Sequence, residues 1–221
     1  MSNLREQLQE LKNQNNLYTK EHKTFQEQLE KLYEKKFIIS NEQYTLSKLE
    51  HINYYRISAY FLPNTTFEDI IKLYYFDTEL RKIIFESIEV IEIYLRTQIA
   101  YYHSQIIAKM GNINKVVFFK LFKALSSVRN ACAHHSRLWN KTLGVSFEIP
   151  RNKPIFAPLI NSKKKVFFAL SVIKYILTCI GDDEMDFKNK IKTLLQKYEN
   201  VDMEAMGFIK EWEDLEIWRS F

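Results

Sequence analysis

Between the break at Pro63-Asn64-Thr65-Thr66 and Gly111 the chain contains no glycine or proline, and its apolar residues recur at helical spacing. Leu73, Leu80, Ile84, Ile88, Ile91, Leu95 and Tyr102 fall on one stripe. A period of 3.6 sustained this long does not fit a strand, whose period is 2. It also needs other apolar surfaces to cover it. Thr66 is placed to cap this helix and Gly111 to stop it after about Met110. Asp77 with Arg81, and Glu92 with Arg96, stand four apart, so each pair can bridge along a helix face. The whole chain of 221 residues has only four glycines and four prolines. Long helices with short connections follow, and no convincing alternation of period 2 appears anywhere. The expected fold class is all-α.

Shorter helices are expected on either side. Residues 1–16, rich in Gln and Asn with Leu4, Leu8 and Leu11 at helical spacing, read as a frayed or partner-dependent helix. Thr24 caps a helix through about Lys36, and Ser40 or Asn41 opens another from Tyr44 to Ile52. A helix from about Lys115 to Trp139 is predicted, with a possible break near Ser126. Residues 141–161 hold three of the four prolines and read as an irregular loop. Ser162 is expected to cap an apolar helix ending at Gly181, with further helices over Asp186–Tyr198 and Met203–Trp218. The run Val166–Ile180 is the most apolar, but it carries Lys174 and is shorter than the roughly 20 residues a membrane span needs. It reads as a buried helix.

The two cysteines, Cys132 and Cys179, form neither a disulfide framework nor a metal-type spacing. With no apolar signal-peptide region at the N-terminus, a reduced cytoplasmic setting is expected. The formal charge is +5, unevenly spread. Arg129, Arg137, Lys141, Arg151, Lys153, Lys163, Lys164 and Lys165 face a single acid, Glu148, between residues 129 and 165. The chain after residue 181 is acidic in balance. A basic strip of this kind is either the footprint of a polyanion ligand or a solvated loop.

That strip opens on Val128-Arg129-Asn130-Ala131-Cys132-Ala133-His134-His135-Ser136-Arg137-Leu138-Trp139-Asn140. Histidine moves protons near neutral pH, and arginine grips phosphate oxygens through a planar fork, a combination suited to phosphodiester cleavage. Arg-x4-His alone is weak, arising by chance in a chain of this length about one time in five. Residues five apart also point about 140° away from each other on a straight helix. Arg129 paired with Glu92, and His134 packed as an interior histidine, is the competing structural reading. His134, His135 and His103 raise a metal site only faintly, because no Cys or carboxylate stands at ligand spacing. No metal or other cofactor is expected.

Four ordered stretches carry a family resemblance. They are Asn53-Tyr54-Tyr55-Arg56-Ile57-Ser58-Ala59-Tyr60, Leu73 to Arg81 around Asp77, Ile88 to Arg96 around Glu92, and Arg129 to Asn140. Met206-Gly207-Phe208 with Trp212 adds to them. On these the chain resembles the Abi-like family of bacterial abortive-infection proteins, related to AbiD and AbiF, which looks like a branch of the HEPN superfamily of metal-independent ribonucleases. The resemblance departs at residues 97–128, where family members usually carry a longer stretch. It implies a HEPN-like helical bundle over residues 66–221, with additional N-terminal helices in residues 1–65, as one continuous unit.

The resemblance further implies Arg129 and His134 as the active pair and Asn130 as the polar residue that orients them. His134 acts as general base or acid and Arg129 holds the scissile phosphate, leaving a 2′,3′-cyclic phosphate and a 5′-hydroxyl. Since one histidine does not readily serve as both acid and base, a homodimer with a composite cleft is expected. Glu92, Arg96 and His135 are supporting candidates. Arg137, Lys141, Lys163, Lys164, Lys165 and Arg56 are candidates to contact the RNA backbone, and Tyr54 or Tyr55 to stack a base, with core packing the alternative for both tyrosines. Partners would be RNA and a noncoding RNA or protein antitoxin, with no membrane. Two readings compete: a non-catalytic RNA-binding protein or phage sensor using the same basic strip, and a structural helical adaptor.

Overall fold

The computed structural model describes residues 23–62, 65–101, 114–148, 154–182 and 185–219, with backbone only at 99–101. The described residues are helical and turn structure with no sheet, an all-α fold. The expected helix over 1–16, and Tyr102, His103, Met110 and Gly111, lie outside the described residues. The chain divides into two compact units, residues 1–70 and 71–221.

In the first unit, helix α1 (Phe25–Glu34) starts at Thr24. The Glu27 amide donates to Thr24 Oγ1 at 3.2 Å, and the Thr24 amide donates to Glu27 Oε2 at 2.6 Å. This reciprocal capping satisfies two N–H groups that the first turn leaves without partners. Helix α2 (Glu42–His51) is capped by Asn41, whose Oδ1 accepts from the Tyr44 amide. A short helix α3 (Tyr54–Ile57) and a 3-10 turn over Ser58–Tyr60 follow. Leu29, Leu32, Leu49, Ile57 and Tyr60 are buried and form this unit's core. Among the described residues the only strand-like pairing is an isolated bridge between Ile38 and Thr66, where the Phe67 amide donates to the Ile38 carbonyl.

Helix α4 (Phe67–Tyr101) begins as expected at Thr66, whose hydroxyl oxygen accepts from the Asp69 amide at 3.1 Å. Leu73, Leu80, Ile84, Ile88, Ile91 and Leu95 are all buried, so the stripe read in the sequence is the core face. Helix α5 (Lys115–Ala133) starts at Asn114, and Phe118, Leu121, Leu125, Val128 and Cys132 form its buried face. It is continuous through Ser126. It stops at Ala133 rather than Trp139, for a reason that lies in the site itself.

The proline-rich segment ends in a 3-10 helix over Pro154–Ser162, where an irregular loop was expected. Helix α6 (Val166–Ile180) is the most buried element and closes on Gly181 at φ 74°. Ser162 does not cap it: its hydroxyl donates to the Leu159 carbonyl, and Lys165 takes the cap position without a side-chain bond. No helix among the described residues is long and apolar enough to cross a membrane. Helix α7 (Phe187–Lys197) is tied to α4 by Lys197–Glu79 at 2.7 Å and Lys190–Glu86 at 3.1 Å. Exposed pairs like these contribute at most about 1 kcal/mol each.

The expected helix over Met203–Trp218 is instead three short pieces. These are 3-10 turns at Glu204–Met206 and Trp212–Asp214 and a final helix α8 (Glu216–Arg219). Gly207 at φ 89° and Glu211 at φ 55° take left-handed backbone that no α-helix accommodates. The breaks let Phe208, Trp212 and Trp218 gather around Phe167 of α6. Trp218 stacks on Phe167 with centroids 5.7 Å apart, and its indole N–H donates to Ser171 Oγ at 2.9 Å.

Candidate active site

The Arg129–Asn140 segment straddles the end of α5, and its geometry follows from how that helix terminates. His134 is the last residue of near-helical backbone and donates its amide to the Asn130 carbonyl at 2.9 Å. The His135 amide donates to the Cys132 carbonyl and the Ser136 amide to the Ala131 carbonyl, both at 2.9 Å. These two bonds define a Schellman stop, which requires a left-handed residue and usually takes glycine there. Here the residue is His135, at φ 53°.

A non-glycine residue in that conformation costs on the order of 1 kcal/mol. His135→Gly is therefore expected to raise stability by about 0.5–1 kcal/mol, read as a higher thermal unfolding midpoint. A lower midpoint would mean that the imidazole makes a stabilising contact outweighing the strain.

The chain beyond the stop is held from within. Asp77 is completely buried and Arg81 almost so, at 0% and 4% exposure. The two form an ion pair on α4. The Leu138 amide donates to both Asp77 oxygens at 3.1 Å, and the Trp139 amide to Oδ1 at 2.7 Å. Arg81 donates to the Ser136 carbonyl at 3.4 Å and to Thr78 Oγ1 at 2.8 Å. Leu138 and Trp139 are buried, and the Trp139 indole donates to the Asp202 carbonyl at 3.2 Å. With its amides occupied in this way, the segment Ser136–Trp139 leaves the helix, and this ends α5 at Ala133.

Arg129 lies a turn and a half before the stop. Its side chain is about one-third exposed and donates to Glu92 Oε2 at 3.3 Å and to Asn130 Oδ1 at 3.2 Å. Arg96 approaches the same Glu92 oxygen at 3.8 Å. Phe85, Glu89, Glu92, Ile93, Arg96 and Arg129 line an open cleft of about 180 Å³. The pairing of Arg129 with Glu92 is thus present, as the structural reading expected. Its companion expectation is not: His134 is exposed at the helix end rather than packed inside, and so is His135. The site combines a guanidinium steered by one carboxylate and one amide with two solvent-facing imidazoles.

Cys132, inside the same segment, is no nucleophile. Burial, opposed by Arg81 and reinforced by Asp77, pushes its thiol up to about 12, so it stays protonated and acts as a small apolar residue. No group of three or more His, Cys, Asp or Glu able to hold a metal occurs among the described residues. His103 lies outside them.

The candidate RNA contacts divide. Arg137 and Lys141 are half-buried just past the stop. The backbone carbonyls of Lys163 and Lys164 accept from the amides of Phe147 and Leu143, tying down the loop that follows the motif. Lys165 Nζ donates to the Ala205 carbonyl at 3.1 Å, so this lysine already serves the fold. Glu148, the acid in the basic strip, is bridged to Lys120 of α5 at 2.7 Å. Arg151 and Lys153 lie outside the described residues. In the first unit Tyr54 is buried edge-on against Phe61 with Lys35 over its ring, so it cannot stack a base. Tyr55 and Arg56 are exposed.

The model of the Abi-like protein family matches residues 47–108 and 103–140. Over these residues the chain is similar to that family. The matched region contains Asp77, Arg81, Glu92, Arg96, Arg129, Asn130 and His134, and its two segments overlap at 103–108. Met206-Gly207-Phe208 and Trp212 lie beyond it. No curated protein and no solved structure matches the chain. Membership of the HEPN superfamily and the AbiD or AbiF type are finer assignments than the Abi-like match makes.

Sequence reasoning named Glu92 and Arg96 as supporting residues but gave Asp77 and Arg81 only a bridge along a helix face. The signal was present in Leu73–Arg81, a stretch that supported the family resemblance. Periodicity carried it too, because position 77 falls four after Leu73 and three before Leu80, on the same buried stripe.

Proposed function

We propose that this chain is an endoribonuclease of HEPN type, acting in bacterial abortive-infection or toxin–antitoxin defence and cleaving RNA through the substrate's own 2′-OH. The observation that carries this reading is Arg129 held at the lip of a cleft by Glu92 and Asn130, with an exposed His134 at the end of the same helix. His134 takes the proton of the 2′-OH as that oxygen attacks the phosphorus, or delivers a proton to the departing 5′-oxygen. Arg129 binds the phosphate and stabilises the charge that builds on it. RNA supplies the nucleophile, so the mechanism calls for no metal ion.

Acid and base are best supplied by two copies. Val116, Phe119, Lys123, Ser126 and Asn130 form an exposed stripe along α5 at heptad-like spacing. Val116 and Phe119 are 59% and 63% exposed, an apolar start to a stripe that ends at the site. A second copy laid parallel along it, about a two-fold axis running with the helix, would bring two Arg129–His134 sets together.

The test is cleavage of single-stranded RNA in EDTA by the wild type, Arg129→Ala and His134→Ala. The expected result is cleavage to 2′,3′-cyclic phosphate ends by the wild type, its loss in both variants, and retained RNA binding. Tight, salt-sensitive RNA binding with no cutting would favour the RNA-binding or sensor reading. No affinity for RNA at all would favour the structural adaptor.

A further inference from the structure

We propose that Asp77 and Arg81 are positioning residues for the Arg129–His134 site: they hold Ser136–Trp139 from inside the fold and so fix the turn that presents His134. The proposal rests on the nuclease reading for its catalytic consequence, but the positioning itself can be tested without it.

An exposed pair four apart on a helix needs no explanation, but a buried one does. Two charges removed from water are tolerated only where their remaining lone pairs and protons are satisfied. Asp77 and Arg81 use theirs on the segment past the stop. Asp77 accepts from the Leu138 and Trp139 amides, and Arg81 reaches the Ser136 carbonyl. A further contact, Arg81 to Thr78 Oγ1, fixes the guanidinium on its own helix. Well-packed apolar residues serve stability as well as a buried ion pair does. What the pair adds is a defined location for four consecutive residues.

That location matters because the turn is one the sequence does not favour locally. His135 at φ 53° and Asn140 at φ 46° are both left-handed without being glycine. Such backbone persists only where its surroundings over-determine it. The same helix does both tasks: Asp77 and Arg81 anchor the His134 side of the motif, and Glu92 anchors Arg129. Fifteen residues separate Asp77 from Glu92, about 22 Å along one rigid helix. α4 therefore sets the distance between the guanidinium and the imidazole, which α5 by itself would leave to a relaxing turn.

The experiment uses the full chain. The double variant Asp77→Leu/Arg81→Met removes the pair without orphaning a charge, and Arg81→Lys keeps the charge while losing the fork. For each, kcat and KM on single-stranded RNA are measured beside the His134 ring resonance, identified by its loss in His134→Ala. The expected result is cooperative unfolding and unchanged KM in the double variant, with kcat lower on the order of 100-fold and the His134 resonance shifted or broadened. Arg81→Lys is expected to restore part of the rate. Wild-type kcat with an unmoved resonance would overturn the proposal. If the double variant does not unfold cooperatively, Arg81→Lys carries the same decision. If the wild type cuts no RNA, the nuclease reading fails, and the resonance alone decides: movement supports the positioning role and its absence overturns it.

Discussion

Arg129→Lys is expected to lower kcat/KM for RNA cleavage on the order of 10²-fold, although the positive charge stays. The two donors that matter leave the guanidinium in different directions, one toward Glu92 Oε2 at 3.3 Å and one toward Asn130 Oδ1 at 3.2 Å. A planar fork held by two acceptors arrives at a phosphate already oriented. An ammonium on a flexible stem satisfies Glu92 as a point charge and leaves Asn130 without its donor. Affinity for RNA, which depends mainly on the count of cations, should barely change, and its salt dependence should keep the same slope. The loss should therefore appear in kcat rather than KM. A lysine variant that cuts at the wild-type rate would show that charge alone suffices at this position.

Gly207→Ala is expected to destabilise the second unit by about 3 kcal/mol, the sum of a left-handed penalty of about 1–2 kcal/mol and an overpacking cost of similar size. The glycine sits at φ 89°, and a methyl group there would lie 2.6 Å from Lys165 Cβ and 3.1 Å from Lys165 Cγ. Cβ is fixed to the backbone and cannot swing aside as a lysine tip would. Relief would have to move the start of α6 or the turn that delivers Phe208 to Phe167, whose rings lie 4.2 Å apart. Urea unfolding should show a lower midpoint at an unchanged slope. An unchanged midpoint would mean that the Met203–Trp212 segment adjusts freely. Lys165 then has two structural tasks, packing on Gly207 and bonding Ala205, which sets it apart from the neighbouring lysines as an RNA contact.

The helical character of this chain was legible because helices announce themselves locally. The stripe from Leu73 to Leu95 is the buried face of α4, and the caps at Thr24, Asn41 and Thr66 stand where side-chain chemistry placed them. The position of the motif and its basic setting were readable for the same reason: they are properties of neighbours in sequence. The Abi-like match over residues 47–140 agrees with the resemblance carried by those stretches.

The misreadings share one cause. α5 was extended to Trp139 because Leu138 and Trp139 keep an apolar rhythm, yet their amides belong to Asp77, 61 and 62 residues earlier. Met203–Trp218 looked helical because its large apolar residues are suitably spaced, whereas they converge on Phe167 through left-handed turns. For Tyr54 the choice between stacking a base and core packing fell to core packing, with Phe61 and Lys35 against its ring. Sequence by itself determined the all-α class, the long helix α4 with its buried stripe, and where an Arg and a His stand together. Only the tertiary structure decided where α5 stops, that His134 faces solvent and that Arg129 turns to Glu92. Each of these depends on hydrogen bonds and packing between residues far apart in the chain, which local periodicity does not record.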